Sequence, residues 1–356
     1  MNNTILGPGF EPDYRYFECV MRNERPARLP LYEHTICPQI MERILGVSFA
    51  SLEQGTGSDL DEYFRQHSRF FREMTYDTVS YEIGLSEVLP GPIALYGGRG
   101  PIQCRADFAA YPWAELSERY WAKARPRFDA LTAGLPPGMK AVGGVGNGVF
   151  ELAEALVGLE YLPLMQVDEP GLYADVFRAI GDWMLDVWSA FMLRHGRHFA
   201  ACRFGDDLGF RSSLLTNPAT VREQILPQYR RIIGAIRAGG GRFLWHSCGC
   251  IFEVMEDVIA LGIHAKHSNE DAVAPFSRWI ERYGDRIGLL GGFDMDFLCS
   301  RTPDAVYAAV REQGSLFRAQ ARGYALGSGN SIPDYVPVEN YLAMVKAAQD
   351  IREAER

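Results

Sequence analysis

The sequence predicts an α/β protein built as a closed (β/α)8 TIM barrel. Three observations carry that reading. From Met139 onward, short apolar runs alternate with helical segments to give six strand–helix units. Two strand-like runs precede them. The strand runs also end in ligand-type side chains, as barrel strands do at the mouth that carries chemistry.

The elements follow in order. Arg28 to Tyr32 is the first strand, with Pro30 placing it near a strand start or a rim. An amphipathic helix over Leu60 to Met74 leads to the second strand, Thr78 to Ile83. Residues 1–27 read as an N-terminal helical and loop extension, and 84–137 as an insertion near the mouth. Within that insertion Gly91 to Ala106, rich in Gly and Pro, reads as a hairpin-like excursion. Gly138 to Val145 is the third strand, followed by one packed helical segment over Gly148 to Gln166.

Gly171 to Arg194 is a long amphipathic helix, with Val176, Ile180, Met184, Val187 and Phe191 on one stripe. Phe199 to Phe204 is a strand, and the helix over Pro218 to Ala238 stops at Gly239-Gly240-Gly241. The remaining strands are Arg242 to Trp245, Ile263 to His267, Arg286 to Gly291 and Tyr324 to Gly327. Their helices cover Ile251 to Leu261, Pro275 to Tyr283, Pro303 to Ala321 and Pro337 to Glu353. The chain, 1–356, reads as a single domain. An open doubly wound sheet is the competing architecture, disfavoured because no Gly-rich phosphate loop follows a first strand.

Bulk properties narrow the function. The 356 residues are 47% hydrophobic, enough for one large core, and carry a net charge of −9. That charge provides no basic surface to track phosphates, so a nucleic-acid partner is not expected. No run approaches the ~18 apolar residues of a membrane span. Met1 to Tyr16 lacks the apolar stretch of a signal peptide. The seven cysteines are dispersed and odd in number, which points to a reducing, cytoplasmic setting.

Chemistry concentrates at the strand ends. His246 and Cys248 close the apolar run Arg242 to Trp245. Residues two apart on a strand project to the same side, so an imidazole and a sulfur stand together, half of a zinc site. Cys250 repeats the spacing, and Gly249, which breaks the strand, leaves open whether it faces the site as a further ligand or turns away; Cys202 and Cys299 read as core filling. Asp206 and Asp207 are carboxylate candidates, with turn capping or pairing to Arg203 or Arg211 as the structural alternative. Glu82 is a candidate base or substrate anchor, and His34 and His267 are acid–base candidates because imidazole titrates near neutrality. Asn147, Asn269, Asp294, Ser328 and Asn330 complete the polar strand ends as substrate-binding candidates.

Several segments resemble the uroporphyrinogen decarboxylase superfamily. They are Phe204-Gly205-Asp206-Asp207-Leu208-Gly209, His246-Ser247-Cys248-Gly249, Gly291-Gly292-Phe293-Asp294, and the run from Gly329-Asn330-Ser331-Ile332-Pro333 through Val336-Pro337-Val338-Glu339-Asn340. The resemblance covers roughly Phe199 to Glu353 and extends weakly toward the N-terminus. It implies a (β/α)8 barrel with its site at the C-terminal mouth.

One branch of that superfamily decarboxylates a porphyrinogen without a cofactor, using an Arg-rich N-terminal signature and an early Asp. Here Leu29-Pro30-Leu31-Tyr32-Glu33-His34 and Tyr81-Glu82 stand at those places. The other branch, cobalamin-dependent methyltransferases, binds zinc through His-x-Cys and a distant Cys. His246 and Cys248 match the first part, and Asn330 falls where the distant Cys is expected. The resemblance therefore implies a methyltransferase working between a small methylated compound, such as a methoxylated aromatic, and cobalamin on a partner corrinoid protein, with zinc at His246 and Cys248. A metal-free lyase and a non-catalytic barrel that captures a corrinoid or tetrapyrrole remain open alternatives, and a homodimer is left open.

Overall fold

A computed structural model describes residues 9–53, 57–94 and 97–355. Residues 1–8 of the expected extension and 95–96 of the expected insertion lie outside them. Seven strands run β1 (Thr78–Gly84), β2 (Lys140–Gly146), β3 (Phe199–Gly205), β4 (Phe243–His246), β5 (Ala265–His267), β6 (Gly288–Phe293) and β7 (Tyr324–Ser328). They form one sheet in sequence order, and every neighbouring pair is parallel. Strands buried on both faces read as apolar runs, which is why the sequence exposes them.

The strand expected over Arg28 to Tyr32 is the one that differs. It is reduced to a single bridge, Leu31 to Leu326, flanked by Tyr32 N–H donating to Leu326 O (2.9 Å) and Leu326 N–H to Pro30 O (3.0 Å). Pro30 has no N–H to give to a ladder, which keeps the pairing short. On the other side Ser80 Oγ, on β1, donates to Glu33 O. Residues 30–33 therefore touch both edge strands, and the sheet curls around to bring β1 and β7 to that one segment.

The expected hairpin over Gly91 to Ala106 is also absent among the described residues. Ala94, Gly100 and Ile102 instead donate backbone N–H groups to the carbonyls of Ala155, Val157 and Leu156. Those carbonyls end the helix Val149–Val157, so the segment caps a helix rather than pairing with itself. The helical segment expected as one piece from Gly148 splits there. Gly158 takes φ 105°, a conformation that favours glycine, before the helix Leu162–Asp168 begins.

Two apolar regions hold the sheet. Helices such as Pro170–Arg194 bury Val176, Ile180, Met184, Val187 and Phe191 on the sheet's outer side, as their spacing predicts. A second cluster gathers Val142, Ala201, Leu244, Ala265, Leu290 and Ala325 from six strands with Phe17, Val20 and Met21 of the helix Arg15–Met21. The N-terminal helix thus packs among the small inward residues. The polar groups collect at the opposite, C-terminal strand ends.

Candidate functional site

Strand register assembles the site. His246 and His267 are direct partners across β4 and β5, and Gly205 is the partner of His246 across β3 and β4. Register neighbours in a sheet share a face, so the two rings meet while Gly205 leaves room beside them. His246 Nδ1 lies 2.9 Å from His267 Nδ1, and His267 Nε2 lies 3.1 Å from Ser328 O. The His34 ring lies against His246, tilted by 33° with centroids 3.9 Å apart. One ligand atom from each of His34, His246 and His267 falls within 4.8 Å of the others.

The other nitrogen of His246 faces sulfur and carboxylate. Cys248 Sγ is 3.4 Å and Asp207 Oδ1 4.0 Å from His246 Nε2. These three side chains form the second group whose ligand atoms lie within 4.8 Å of one another. Asp207 Oδ1 also accepts from the Cys248 backbone N–H at 2.8 Å, which ties the two loops together. Asn330 Nδ2 and Ser268 Oγ each lie 3.4 Å from Cys248 Sγ as donors. Asn330 therefore stands beside the sulfur as a hydrogen-bond donor rather than offering a thiolate.

Glu82 occupies the far wall. Gly143 on β2, where a side chain would come within 3.4 Å of an Arg203 terminal nitrogen, leaves the way open, and Arg203 on β3 reaches across to Glu82 Oε2 at 3.0 Å from Nε and 2.7 Å from a terminal nitrogen. Arg203 also donates to Tyr32 Oη at 2.6 Å, while Glu82 Oε1 faces His34 Nε2 at 3.5 Å. Arg203 pairs with Glu82, not with Asp206 or Asp207.

Burial and local charge set protonation. Burial lowers the pKa of His34, with the Arg203 charge adding to it. Burial pushes His246 and His267 well down, reinforced by the neighbouring imidazoles, so the rings are neutral at pH 7. Burial alone would raise the Glu82 carboxyl, but the Arg203 charge and His34 hold it below the usual carboxylate range. Burial and then the Asp207 charge push the Cys248 thiol up.

The remaining expected residues divide. Asp206 is fully buried and accepts from Phe150 N–H, Glu151 N–H (2.9 Å each) and Tyr229 Oη–H (2.5 Å), with burial raising it to about 6. These bonds tie Asp206 to the first turn of the helix Val149–Val157 and to Tyr229. Asn147 links Ser86 and Glu151, and Asp294 caps the helix Met295–Ser300 through Asp296 N–H. Asn269 Oδ1 accepts from Gly292 N–H at 2.9 Å. Ser328 binds the Glu33 carboxyl through both N–H and Oγ. His267 is fully buried with both nitrogens engaged internally, which leaves it no atom for substrate. Cys250 is in neither ligand-atom group of the described residues, and Cys202 packs its sulfur 3.4 Å from Met192 Sδ.

Arg203, Glu33 and Lys266 are the residues that sequence reasoning passed over. The first and last had a signal: each is a lone cation inside an apolar strand run. Lys266 is buried over the Trp279 ring at 3.9 Å and donates to Ser268 O, and burial lowers its pKa to about 7. Glu33 stands at the end of the first expected strand, but its partner Ser328 is distant in the chain and had no local signal.

Fold and site together define a parallel α/β, barrel-like protein with an imidazole, thiol and carboxylate cluster at its C-terminal strand ends. The chain belongs to the uroporphyrinogen decarboxylase (URO-D) family, whose model matches residues 129–351. Among solved structures, the fold is shared with a methyltransferase from Methanosarcina mazei: TM-score 0.75, 17% identity, 96% of this chain and 99% of that chain. A xylanase, XynB from Paenibacillus barcinonensis, aligns over 78% of this chain and 93% of its own at TM-score 0.43 and 11% identity. No curated protein sequence matches. No helix among the described residues is long and apolar enough to cross a membrane.

Proposed function

We propose that this protein is a methyltransferase that moves a methyl group between a small methylated compound, of the methoxylated-aromatic type, and a corrinoid carried by a partner protein. The observation that carries the reading is Cys248 Sγ at 3.4 Å from His246 Nε2 with Asp207 Oδ1 at 4.0 Å, at a strand-end mouth. The family membership and the full-length fold shared with a methyltransferase support it.

The donor set fits zinc: one imidazole nitrogen, one sulfur and one carboxylate oxygen, with Asp207 standing in for a second thiolate. Zinc held there would act as a Lewis acid on the heteroatom that carries the methyl group. Burial and Asp207 disfavour a free Cys248 thiolate, so zinc would have to supply the charge that holds it, with Asn330 and Ser268 aiming donors at the sulfur. Glu82, kept ionised by Arg203, faces His34, so His34 Nε2 is where the site can hold a proton for that heteroatom. His246 is buried, and the His34 and Glu82 side chains are only 12% and 19% exposed, so this wall admits little competing water.

The test is metal analysis of protein purified without added metal, followed by zinc titration and a corrinoid-methylation assay. The reading expects one zinc per chain, lost with Cys248→Ser, and methylation that needs it. Metal-free protein that fails to take up zinc, or that releases carbon dioxide from a carboxylate substrate, would replace it with the lyase reading.

A further inference from the structure

We infer that His267 is a positioning residue that fixes the tautomer of His246, leaving a bare lone pair on the nitrogen that faces Cys248. The deduction starts at a backbone carbonyl. Ser328 O can only accept, so His267 Nε2, 3.1 Å away, carries a hydrogen. A neutral imidazole has one N–H, so His267 Nδ1 presents a lone pair. His246 Nδ1 is 2.9 Å from it and supplies the hydrogen between them. His246 Nε2 is then the unprotonated nitrogen, and it is the one at 3.4 Å from Cys248 Sγ.

The origin of this order is fixed well away from the sulfur. The N–H and Oγ of Ser328 are both held by the Glu33 carboxyl, and His267 is register-paired with His246 across β4 and β5. Two imidazoles in series therefore pass the polarity of one carbonyl to the sulfur-facing edge of the site. A His bound to a metal ordinarily donates its other N–H to an oxygen acceptor; here the acceptor is a second ring. The consequence for a metal rests on the functional reading above, whereas the tautomer itself does not.

The two are separated by one pair of measurements. In metal-free protein labelled with 15N-histidine, long-range 1H–15N correlation should report a pyrrole-type Nδ1 and a pyridine-type Nε2 for His246, and the reverse for His267. His267→Leu removes the acceptor and should convert His246 toward the Nε2–H form. His267→Gln, whose amide both accepts and donates, should keep the wild-type pattern. A wild-type His246 with Nε2–H, or a His246 unmoved by His267→Leu, overturns the inference whether or not metal binds. Should His267→Leu not fold, the wild-type spectrum and His267→Gln decide.

Zinc competition titrations with a chromophoric chelator add the second arm. His267→Leu should weaken binding roughly 10–100-fold, the usual effect of losing such a partner, and His267→Gln by far less. No zinc binding in any of the proteins would remove the metal reading and leave the tautomer result standing on the spectra.

Discussion

Arg203 and Glu82 meet through a single carboxylate oxygen. Two guanidinium nitrogens converge on Oε2, at 3.0 and 2.7 Å, and Oε1 is left to His34. The pair spans β1 to β3 over β2, whose Gly143 presents no side chain to the Arg203 guanidinium. One buried cation thereby ionises the carboxylate, positions it and frees its second oxygen toward the site.

Removing that cation should be costly. Arg203 is fully buried and the Glu82 side chain only 19% exposed, so Arg203→Met leaves a carboxylate without compensation. Breaking one partner of such a pair costs about 3–5 kcal/mol. Urea denaturation should show that loss, and the double variant Arg203→Met with Glu82→Gln should regain most of it.

Gly327 should resist any side chain. A methyl group there would overlap the Tyr32 carbonyl, where residues 30–33 run beside β7. Gly327→Ala should destabilise by about 1–3 kcal/mol through overpacking. It should also lower activity, because Glu33 and His34 sit on the displaced segment. Equilibrium unfolding together with a methylation assay checks both effects.

His67 should make the protein acid-sensitive. It is buried, with Nε2 3.0 Å from Ser80 O, and burial lowers its pKa from 6.5 to about 4. Between those values the unfolded chain binds the extra proton, so stability rises with pH there and is lost as pH falls from 6.5 toward 4. The ceiling is about 3 kcal/mol. His67→Gln, which keeps an N–H for Ser80 O, should flatten that part of the profile of unfolding free energy against pH.

Glu33 should act in the opposite direction. Burial pushes its carboxyl from 4.5 up to about 8, against two donors from Ser328. The folded state then holds a proton that the unfolded chain has released. Its contribution is intact below pH 4.5 and declines as pH rises to about 8. The full decline is about 5 kcal/mol at most. Glu33→Gln, uncharged, with its amide oxygen accepting from Ser328 N–H and its amide nitrogen donating to Ser328 Oγ, should remove the decline; an unchanged slope between pH 5 and 8 would mean that Glu33 is ionised in the folded protein.

Much of this protein was legible in its sequence. The seven strands, the stripe of the helix Pro170–Arg194 and the pairing of His246 with Cys248 follow from local periodicity, because strand and helix repeats are properties of consecutive residues. Where one backbone group decides, sequence reading was less sufficient. Pro30 shortens the expected first strand to one bridge, and Gly158 splits a helix that looked continuous.

What the sequence determined by itself was the alternation of elements, the family-bearing segments and the residue types at each strand end. Only the tertiary structure decided which of those side chains face one another. Register across β4 and β5 joined His246 to His267, a side-chain-free β2 position let Arg203 claim Glu82, and curling of the sheet brought Glu33 to Ser328. Those contacts join residues 21, 121 and 295 positions apart. Local periodicity sets where a side chain points along its own element, while its partner is chosen by the packing of elements that meet only once the chain has closed.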